Sequence, residues 1–285
     1  MQKMMQRLFS VLFALVFTIA LVTIAAGAED PATEVSTIDQ LKEAAVTGGN
    51  FKLTADLTVN EIIVIQKDLT IDGDGHTITG TANKTFEVGN NDKSYFPENV
   101  TFKNITLTNT SCVPAQGRSI DTRIGGLTLT LDNAHLSATA TNAQPLTIGG
   151  NAVDRGEITV NIQNGSTIDA GASGYSIIIY NPVNMTIKDS TVKGLYSALY
   201  FKGANKSLGS ADSVVSVVNS TISSVNSFSG ASNAFATVVF EDKNITLNVD
   251  KDSTISAESK GDQPQFVLVF KEVTDITINV EGKLS

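Results

Sequence analysis

Leu127-Thr-Leu-Thr-Leu-Asp-Asn-Ala-His-Leu136-Ser and Ile158-Thr-Val-Asn-Ile-Gln-Asn-Gly-Ser-Thr-Ile168-Asp are two readings of one pattern. Each is an alternating strand, a polar corner, a small hydroxyl residue and a single aliphatic anchor. The pattern returns in Met185-Thr-Ile-Lys-Asp-Ser-Thr-Val192, in Val214-Val-Ser-Val-Val-Asn-Ser-Thr-Ile222-Ser and in Ile245-Thr-Leu-Asn-Val-Asp-Lys-Asp-Ser-Thr-Ile255-Ser. The anchors Leu136, Ile168, Val192, Ile222 and Ile255 follow one another at 32, 24, 30 and 33 residues. Strands and corners recurring at that interval, without helices between them, describe a coil that winds once per repeat. Parallel strands normally require a long crossover, and a solenoid supplies it from the other sides of the same coil.

Outward from these repeats, a second register supports the coil. Ile177-Ile-Ile-Tyr180, Ala198-Leu-Tyr-Phe201, Thr237-Val-Val-Phe240 and Val267-Leu-Val-Phe270 each end in an aromatic residue and each follow a repeat of the first kind. Stacked one per coil, Tyr180, Phe201, Phe240 and Phe270 form an aromatic ladder that buries a large apolar area. Ile177, Ile179, Tyr200, Val239, Val267 and Val269 then point outward. Strands apolar on both faces are covered on both faces, so this side is expected to lie under a loop, another domain or a second copy.

The remaining chain frames the coil. Lys3 and Arg7 precede an apolar run from Leu8 to Ile24, and Ala26-Gly-Ala28 is followed by Glu29-Asp30. That is a signal-peptide pattern with cleavage after Ala28, which predicts a chain secreted or held at the cell surface with no membrane span after cleavage. Ser36 to Gly49 is the one helical stretch. Ser36/Asp39 or Thr37/Gln40 forms its capping box, Ile38, Leu41 and Ala45 share a face, and Gly48 ends it. The expected organisation is a signal peptide over 1–28, a cap with a helix over 29–50, and a parallel β-helix over 51–285. At the far end, Ile276-Thr-Ile-Asn-Val-Glu-Gly-Lys-Leu284-Ser285 starts another repeat without an evident cap. The expectation is a fragment of a longer protein, or an open end that docks or self-associates.

Gly48 to Gly80 includes Leu69-Thr-Ile-Asp-Gly-Asp-Gly-His-Thr-Ile78. With the helix before it, this stretch resembles the opening of the pectin-lyase-like right-handed parallel β-helix proteins, in particular bacterial secreted and surface members without assigned activity. The resemblance implies an all-β right-handed parallel β-helix, a helix that caps the open end, and a first full turn over Ile71–Ile78. It implies no reaction, because this fold hosts many functions.

The chemistry is read largely from what the sequence does not contain. Enzymatic members that hydrolyse polygalacturonate carry an Asn-Thr-Asp, an Asp-Asp pair, a Gly-His-Gly and an Arg-Ile-Lys, whereas here the nearest matches are Gly75-His-Thr77 and Arg123-Ile-Gly125. No two aspartates are adjacent, and cleavage of a glycosidic bond needs paired carboxylates. The pectate lyases' Trp-x-Asp-His segment has no counterpart in a chain without Trp. Arg118-Ser-Ile-Asp121-Thr-Arg123 is the best local catalytic candidate, and its plain reading is a surface corner with exposed ion pairs. No cofactor is expected. Asp72-Gly-Asp74-Gly is the place a calcium ion would take, though Asp-Gly pairs are first of all turn formers. His76 and His135 lack a second ligand in view, and the lone Cys112 reads as a small buried thiol. Nine Asn-x-Ser/Thr sequons read as corners and ladders of the coil. The Thr-x-Thr runs, such as Thr128/Thr130, are spaced too irregularly between repeats to form a lattice.

Twenty basic residues against 29 acidic ones give a net charge of −9, which argues against nucleic acid as a partner. The reading is a structural or adhesive β-helix at the cell surface, without a built-in active site, whose partner is a polysaccharide or an envelope component. The alternative is a polysaccharide lyase or glycoside hydrolase with an atypical site at Arg118, Asp121 and Arg123.

Overall fold

The computed structural model describes residues 31–90, 94–111, 117–140, 142–149, 156–171, 174–202, 212–226, 235–260, 265–271 and 273–285. The signal peptide with Ala28, the cysteine at 112 and the sequon at 205 lie outside them. The helix α1 (Ile38–Thr47) uses the second of the two capping boxes. The Gln40 amide donates to Thr37 Oγ1 at 3.3 Å, and the Thr37 amide donates to Gln40 Oε1 at 3.1 Å. Gly48 closes the helix at φ 74°, where a Cβ would stand 2.6 Å from the Asp68 carbonyl oxygen, so only glycine fits. Leu41, Ala44 and Ala45 are buried in the main core. Beside the helix, β1 (Thr33–Val35) pairs with the first strand of the coil.

From Gly49 the chain winds. The first coil holds β2 (Gly49–Leu53), β3 (Leu57–Val59) and β4 (Ile63–Ile65). The second holds β5 (Leu69–Asp72), β6 (Thr77–Gly80) and β7 (Lys84–Val88), so the Ile71–Ile78 stretch is in the second turn rather than the first. The third and fourth run β8 (Asn99–Asn109), β9 (Arg118–Thr122), then β10 (Thr128–Ala138), β11 (Leu146–Ile148). The fifth is β12 (Ile158–Gln163), β13 (Thr167–Asp169), β14 (Tyr175–Ile179), and the sixth β15 (Val183–Lys188), β16 (Thr191–Gly194), β17 (Ser197–Phe201). The seventh is β18 (Ser213–Val218), β19 (Thr221–Asn226), β20 (Phe235–Phe240), and the eighth β21 (Ile245–Val249), β22 (Thr254–Ser259), β23 (Gln265–Phe270). Then β24 (Ile276–Val280) and β25 (Lys283–Leu284) extend the first two faces.

Every pairing is parallel, between a strand and its counterpart one coil later, which gives three faces. The first two belong to one 17-stranded sheet, and the third is an 8-stranded sheet of β4, β7, β9, β11, β14, β17, β20 and β23. This is a parallel β-helix, wound in the right-handed sense that parallel crossovers adopt. The anchors stack as the repeats require: Leu136, Ile168, Val192, Ile222 and Ile255 are register partners and all are buried.

Between the first and second faces the chain turns at Asn104, Asn133, Asn164, Asp189 and Asn219, all with φ between 45° and 56°. Asn and Asp tolerate this left-handed conformation better than other side-chain-bearing residues. Asn133 Nδ2 donates to Asn104 Oδ1 at 3.0 Å, and Asn219 Nδ2 donates to Asp189 Oδ1 at 2.6 Å, linking coil to coil. Behind them the buried hydroxyls repeat the device: the Ser190 amide donates to Ser220 Oγ and the Ser220 amide to Ser253 Oγ. The sequons at 104, 164 and 219 are thus corners of the coil, as read.

The irregular repeat length does not reach the rungs. On the third face Ile148, Ile179, Phe201, Phe240 and Phe270 are successive register partners. The corners and loops absorb the extra residues and the strands stay aligned, so the irregular spacing in sequence does not carry over to the strand lattice.

Candidate functional site

The aromatic ladder exists with one rung corrected. Phe201 and Phe240 stack at 5.4 Å between ring centroids and 4°, and Phe240 and Phe270 at 5.0 Å and 7°. The residue before Phe201 in this column is Ile179, and Tyr180 sits one position beyond it. That one-residue slip exchanges inside for outside. Ile177 and Ile179 therefore face the main core, as does the half-buried Val267, while Ile178 joins Tyr200, Val239 and Val269 on the outer side.

These outer residues belong to one line across the coils. Register partners connect Glu87, Asp121, Thr147, Ile178, Tyr200, Val239 and Val269. All seven point away from the core. Yet Asp121 and Thr147 are 0% exposed, Ile178 1%, Val239 5% and Tyr200 9%. An outward stripe that is buried to this degree lies on the floor of a covered or recessed face, as expected for strands apolar on both sides. It carries two chemically distinct ends.

At the near end is the Arg118–Asp121–Arg123 candidate, and it is not an exposed corner. Asp121 Oδ2 lies 3.0 Å from Arg118 Nη1, 2.7 Å from Arg123 Nη2 and 2.9 Å from Lys84 Nζ. Lys84 Nζ also lies 2.5 Å from Glu87 Oε2, with Arg123 Nε 3.4 Å from the same oxygen. Three cations therefore share two carboxylates, and every one of these side chains is at least four-fifths shielded from water. The cause is register: Lys84 and Arg118 are partners on β7 and β9, as are Glu87 and Asp121. Oδ2 of Asp121 is saturated by three cations, while Oδ1 is buried without a hydrogen-bond partner. Lys84 and Glu87 were missed in the sequence because they stand more than thirty positions from Asp121.

At the far end the stripe becomes aromatic. Tyr175 lies 5.3 Å from Tyr196 and 5.3 Å from Tyr200 between ring centroids. Lys202 Nζ stands 5.8 Å from the Tyr180 ring and 5.9 Å from that of Tyr200, and Lys271 Nζ stands 5.4 Å from the latter, all within cation–π range. Four of the chain's five tyrosines thus converge here. Tyr200 donates its hydroxyl to Glu241, and burial together with that carboxylate pushes its phenol well above the usual range. Burial opposes ionisation of Glu241, but Lys271 at 2.7 Å and the Tyr200 hydroxyl outweigh it and hold its pKa below the usual carboxylate value. Beyond them Phe266 is 43% exposed. One sequence signal pointed here: Phe201-Lys202, Phe240-Glu241 and Phe270-Lys271 each place a charge directly after a rung of the ladder.

Residues 32–134 match a family profile described as "Putative pectate lyase-like adhesive domain". The three faces of parallel rungs make the described chain a right-handed parallel β-helix, and residues 32–134 of it are similar to this profile. Among solved structures this β-helix is similar to the SRRP of L. reuteri 53608, at 14% identity and a TM-score of 0.47 over 88% of this chain and 98% of that one. It is similar to the SRRP of L. reuteri 100-23 at 15% identity and 0.49, over 90% and 97%. PfbA, a surface adhesin of Streptococcus pneumoniae, aligns at 13% identity and 0.34 over 85% and 86%. No curated protein matches the chain in sequence.

The other candidates lie elsewhere on the β-helix. Asp72 and Asp74 flank the first corner of the second coil. Asp72 Oδ1 accepts from the Asp74 amide at 3.0 Å and from Asn104 Nδ2 at 3.2 Å, and Oδ2 faces Lys103 at 3.4 Å. Burial works against the charge on Asp72, but these partners together hold its pKa below the usual value. Asp74 Oδ2 instead meets Lys52 at 2.9 Å. The two carboxylates thus turn to different lysines, and no group of three metal-ligating side chains occurs among the described residues. His76 Nδ1 is 3.1 Å from Asp56 Oδ1, and His135 Nδ1 is 2.9 Å from Thr167 Oγ1, each on its own part of the surface. Among the described residues no helix is long and apolar enough to cross a membrane.

Proposed function

We propose that this β-helix is an adhesive module displayed at the cell surface, exported by the leader over 1–28, and that its third face holds a glycan of a host or envelope polysaccharide. The adhesive description of the matched profile supports the role. The observation that carries the site is the shielded outward stripe from Asp121 to Val269, with its cluster of tyrosines and lysines. Aromatic side chains with hydroxyl handles, gathered in a recessed face with a few charges, are the usual composition of a ligand site. The ion network at the near end gives the stripe a rigid floor, since removing either carboxylate would leave three shielded cations around a single counter-charge.

Beads coated with the chain from Glu29 onward test the reading. They are expected to be retained on glycan-coated surfaces or mucin, and the Tyr175→Ala/Tyr196→Ala variant is expected to lose at least tenfold in retention with unchanged circular dichroism. Retention by wild type and variant alike would place adhesion on another face. No retention of wild type would contradict the adhesive role itself. The same incubations, followed for polymer length and for ultraviolet absorbance of unsaturated products, would reveal a lyase or hydrolase.

A further inference from the structure

The geometry points to a covalent cross-link at the near end of the third face: an amide bond between Lys84 Nζ and the side-chain carboxyl carbon of Asp121, formed within the folded chain with Glu87 carrying the protons. The bond ties the second coil to the third, and it does not rest on the glycan reading above.

The three groups are already in contact. Lys84 Nζ lies 2.9 Å from Asp121 Oδ2 and 2.5 Å from Glu87 Oε2, and the side chains of Lys84, Asp121 and Glu87 are 10%, 0% and 15% exposed. Of the three cations in this cluster only lysine can give up a proton and become a nucleophile, since the guanidinium groups of Arg118 and Arg123 stay charged. The two oxygens of Asp121 are unlike. Oδ2 faces Arg118 Nη1 at 3.0 Å and Arg123 Nη2 at 2.7 Å, so negative charge gathering on it during attack is met by two fixed cations. Oδ1 is buried without a hydrogen-bond partner, which makes it the oxygen that nothing holds in place. Glu87 is the poorer electrophile, because the closest arginine nitrogen to its Oε2 stands 3.4 Å away, and it shares β7 with Lys84, three positions on.

The step balances without a further reactant. Glu87 takes one proton from the Lys84 ammonium and delivers it to Asp121 Oδ1, which leaves a free amine beside an uncharged carboxyl group. Nζ attacks the carboxyl carbon, the C–N bond forms, and Oδ2 carries the negative charge between the arginines. A second proton passes from Nζ through Glu87 to Oδ1, the bond from carbon to Oδ1 breaks, and one water leaves as the carbonyl to Oδ2 re-forms. One ammonium and one carboxylate have become an amide and a water. Nothing is oxidised or reduced, and Glu87 ends as it began. Burial supplies the drive: two ions held out of water carry a desolvation cost that a neutral amide does not, and a site closed to water is slow to return the bond by hydrolysis. In a solenoid each coil is held only by its neighbours, so a bond between β7 and β9 resists exactly the parting of coils that a pull along the axis would cause.

Mass spectrometry of the chain from Glu29 onward reads the bond directly. The intact chain is expected to be lighter than its sequence mass by one water. After trypsin digestion Lys84 should remain uncut, with its peptide joined to the one that carries Asp121. A chain held unfolded in denaturant should keep the full sequence mass and lose the water only on refolding. Glu87→Gln, with unchanged circular dichroism, is expected to slow that loss about a hundredfold, and the wild-type readings decide the matter alone if this variant does not fold. Folded wild type at the full sequence mass overturns the proposal. So does a missing water traced to Asp72-Gly73 or Asp74-Gly75, where ring closure to a succinimide gives the same loss, or a Lys84 joined to Glu87 instead. Linking as fast in Glu87→Gln as in wild type overturns the part given to Glu87.

Discussion

Asp121→Ala is expected to be among the most damaging single substitutions in the β-helix. The carboxylate is 0% exposed and faces Lys84, Arg118 and Arg123 at 2.7–3.0 Å. Removing it leaves three cations around the single carboxylate of Glu87 in a shielded site. Breaking a buried pair by deleting one partner costs about 3–5 kcal/mol. For a chain of this size each kcal/mol moves the melting temperature by roughly 2–4 °C, so a fall of about 10 °C is expected by circular dichroism. Arg118→Ala should cost less, because Lys84 and Arg123 still neutralise Asp121. A melting temperature for Asp121→Ala within about 2 °C of wild type would mean that water reaches these charges, and that the near end of the stripe is open surface.

Phe240→Ala is the second large effect, and its cause is packing rather than charge. Phe240 is fully buried and stacks on Phe201 from the coil before and Phe270 from the coil after. Truncating a buried phenylalanine costs about 3–5 kcal/mol through lost transfer energy and the cavity left behind. In a solenoid each coil contacts only its neighbours, so the loss should be local. Hydrogen exchange is expected to quicken in β17, β20 and β23 while β5 and β8 keep wild-type protection. Phe270→Ala should be milder, since half of that ring is already exposed. Uniform loss of protection along the whole chain would contradict the coil-by-coil account.

The elements that were legible in sequence are those whose signal is local. The anchors from Leu136 to Ile255, the Asn corners and the Thr37–Gln40 cap each depend on residues within about ten positions, and each appears where the pattern placed it. The third face was legible to within one residue. The four runs end in aromatics, and aligning them by those ends put Tyr180 in the ladder, whereas the hydrogen-bonded register puts Ile179 there. A slip of one position exchanges the two sides of a strand, which is why Ile177 and Ile179 were expected outside and Ile178 was not; Val267, also expected outside, packs on the main core beside Leu268 although its strand is in register. Tyr200, Val239 and Val269 were placed correctly because their strands share the ladder's true register.

What the sequence could not carry were pairings between coils. Arg118, Asp121 and Arg123 look like an exposed corner when read alone. Their burial depends on Lys84 and Glu87 one coil earlier, and no periodicity links those positions across loops of unequal length. The same inequality made the repeats look too irregular for aligned ranks of side chains. The rungs are nonetheless in register, because the strands fix the repeat in space and the corners and loops absorb the difference in chain length.

The most direct test of the central claim, that the outward stripe of the third face is the contact surface, is oxidative footprinting of the chain bound to a retaining glycan surface. Tyr175, Tyr196 and Phe266 are expected to lose labelling on binding, while Phe96 and the hydroxyl- and amide-lined first face around Thr101, Thr130 and Asn161 remain as in the free chain. Protection of the first face, with the tyrosines labelled as before, would contradict the account.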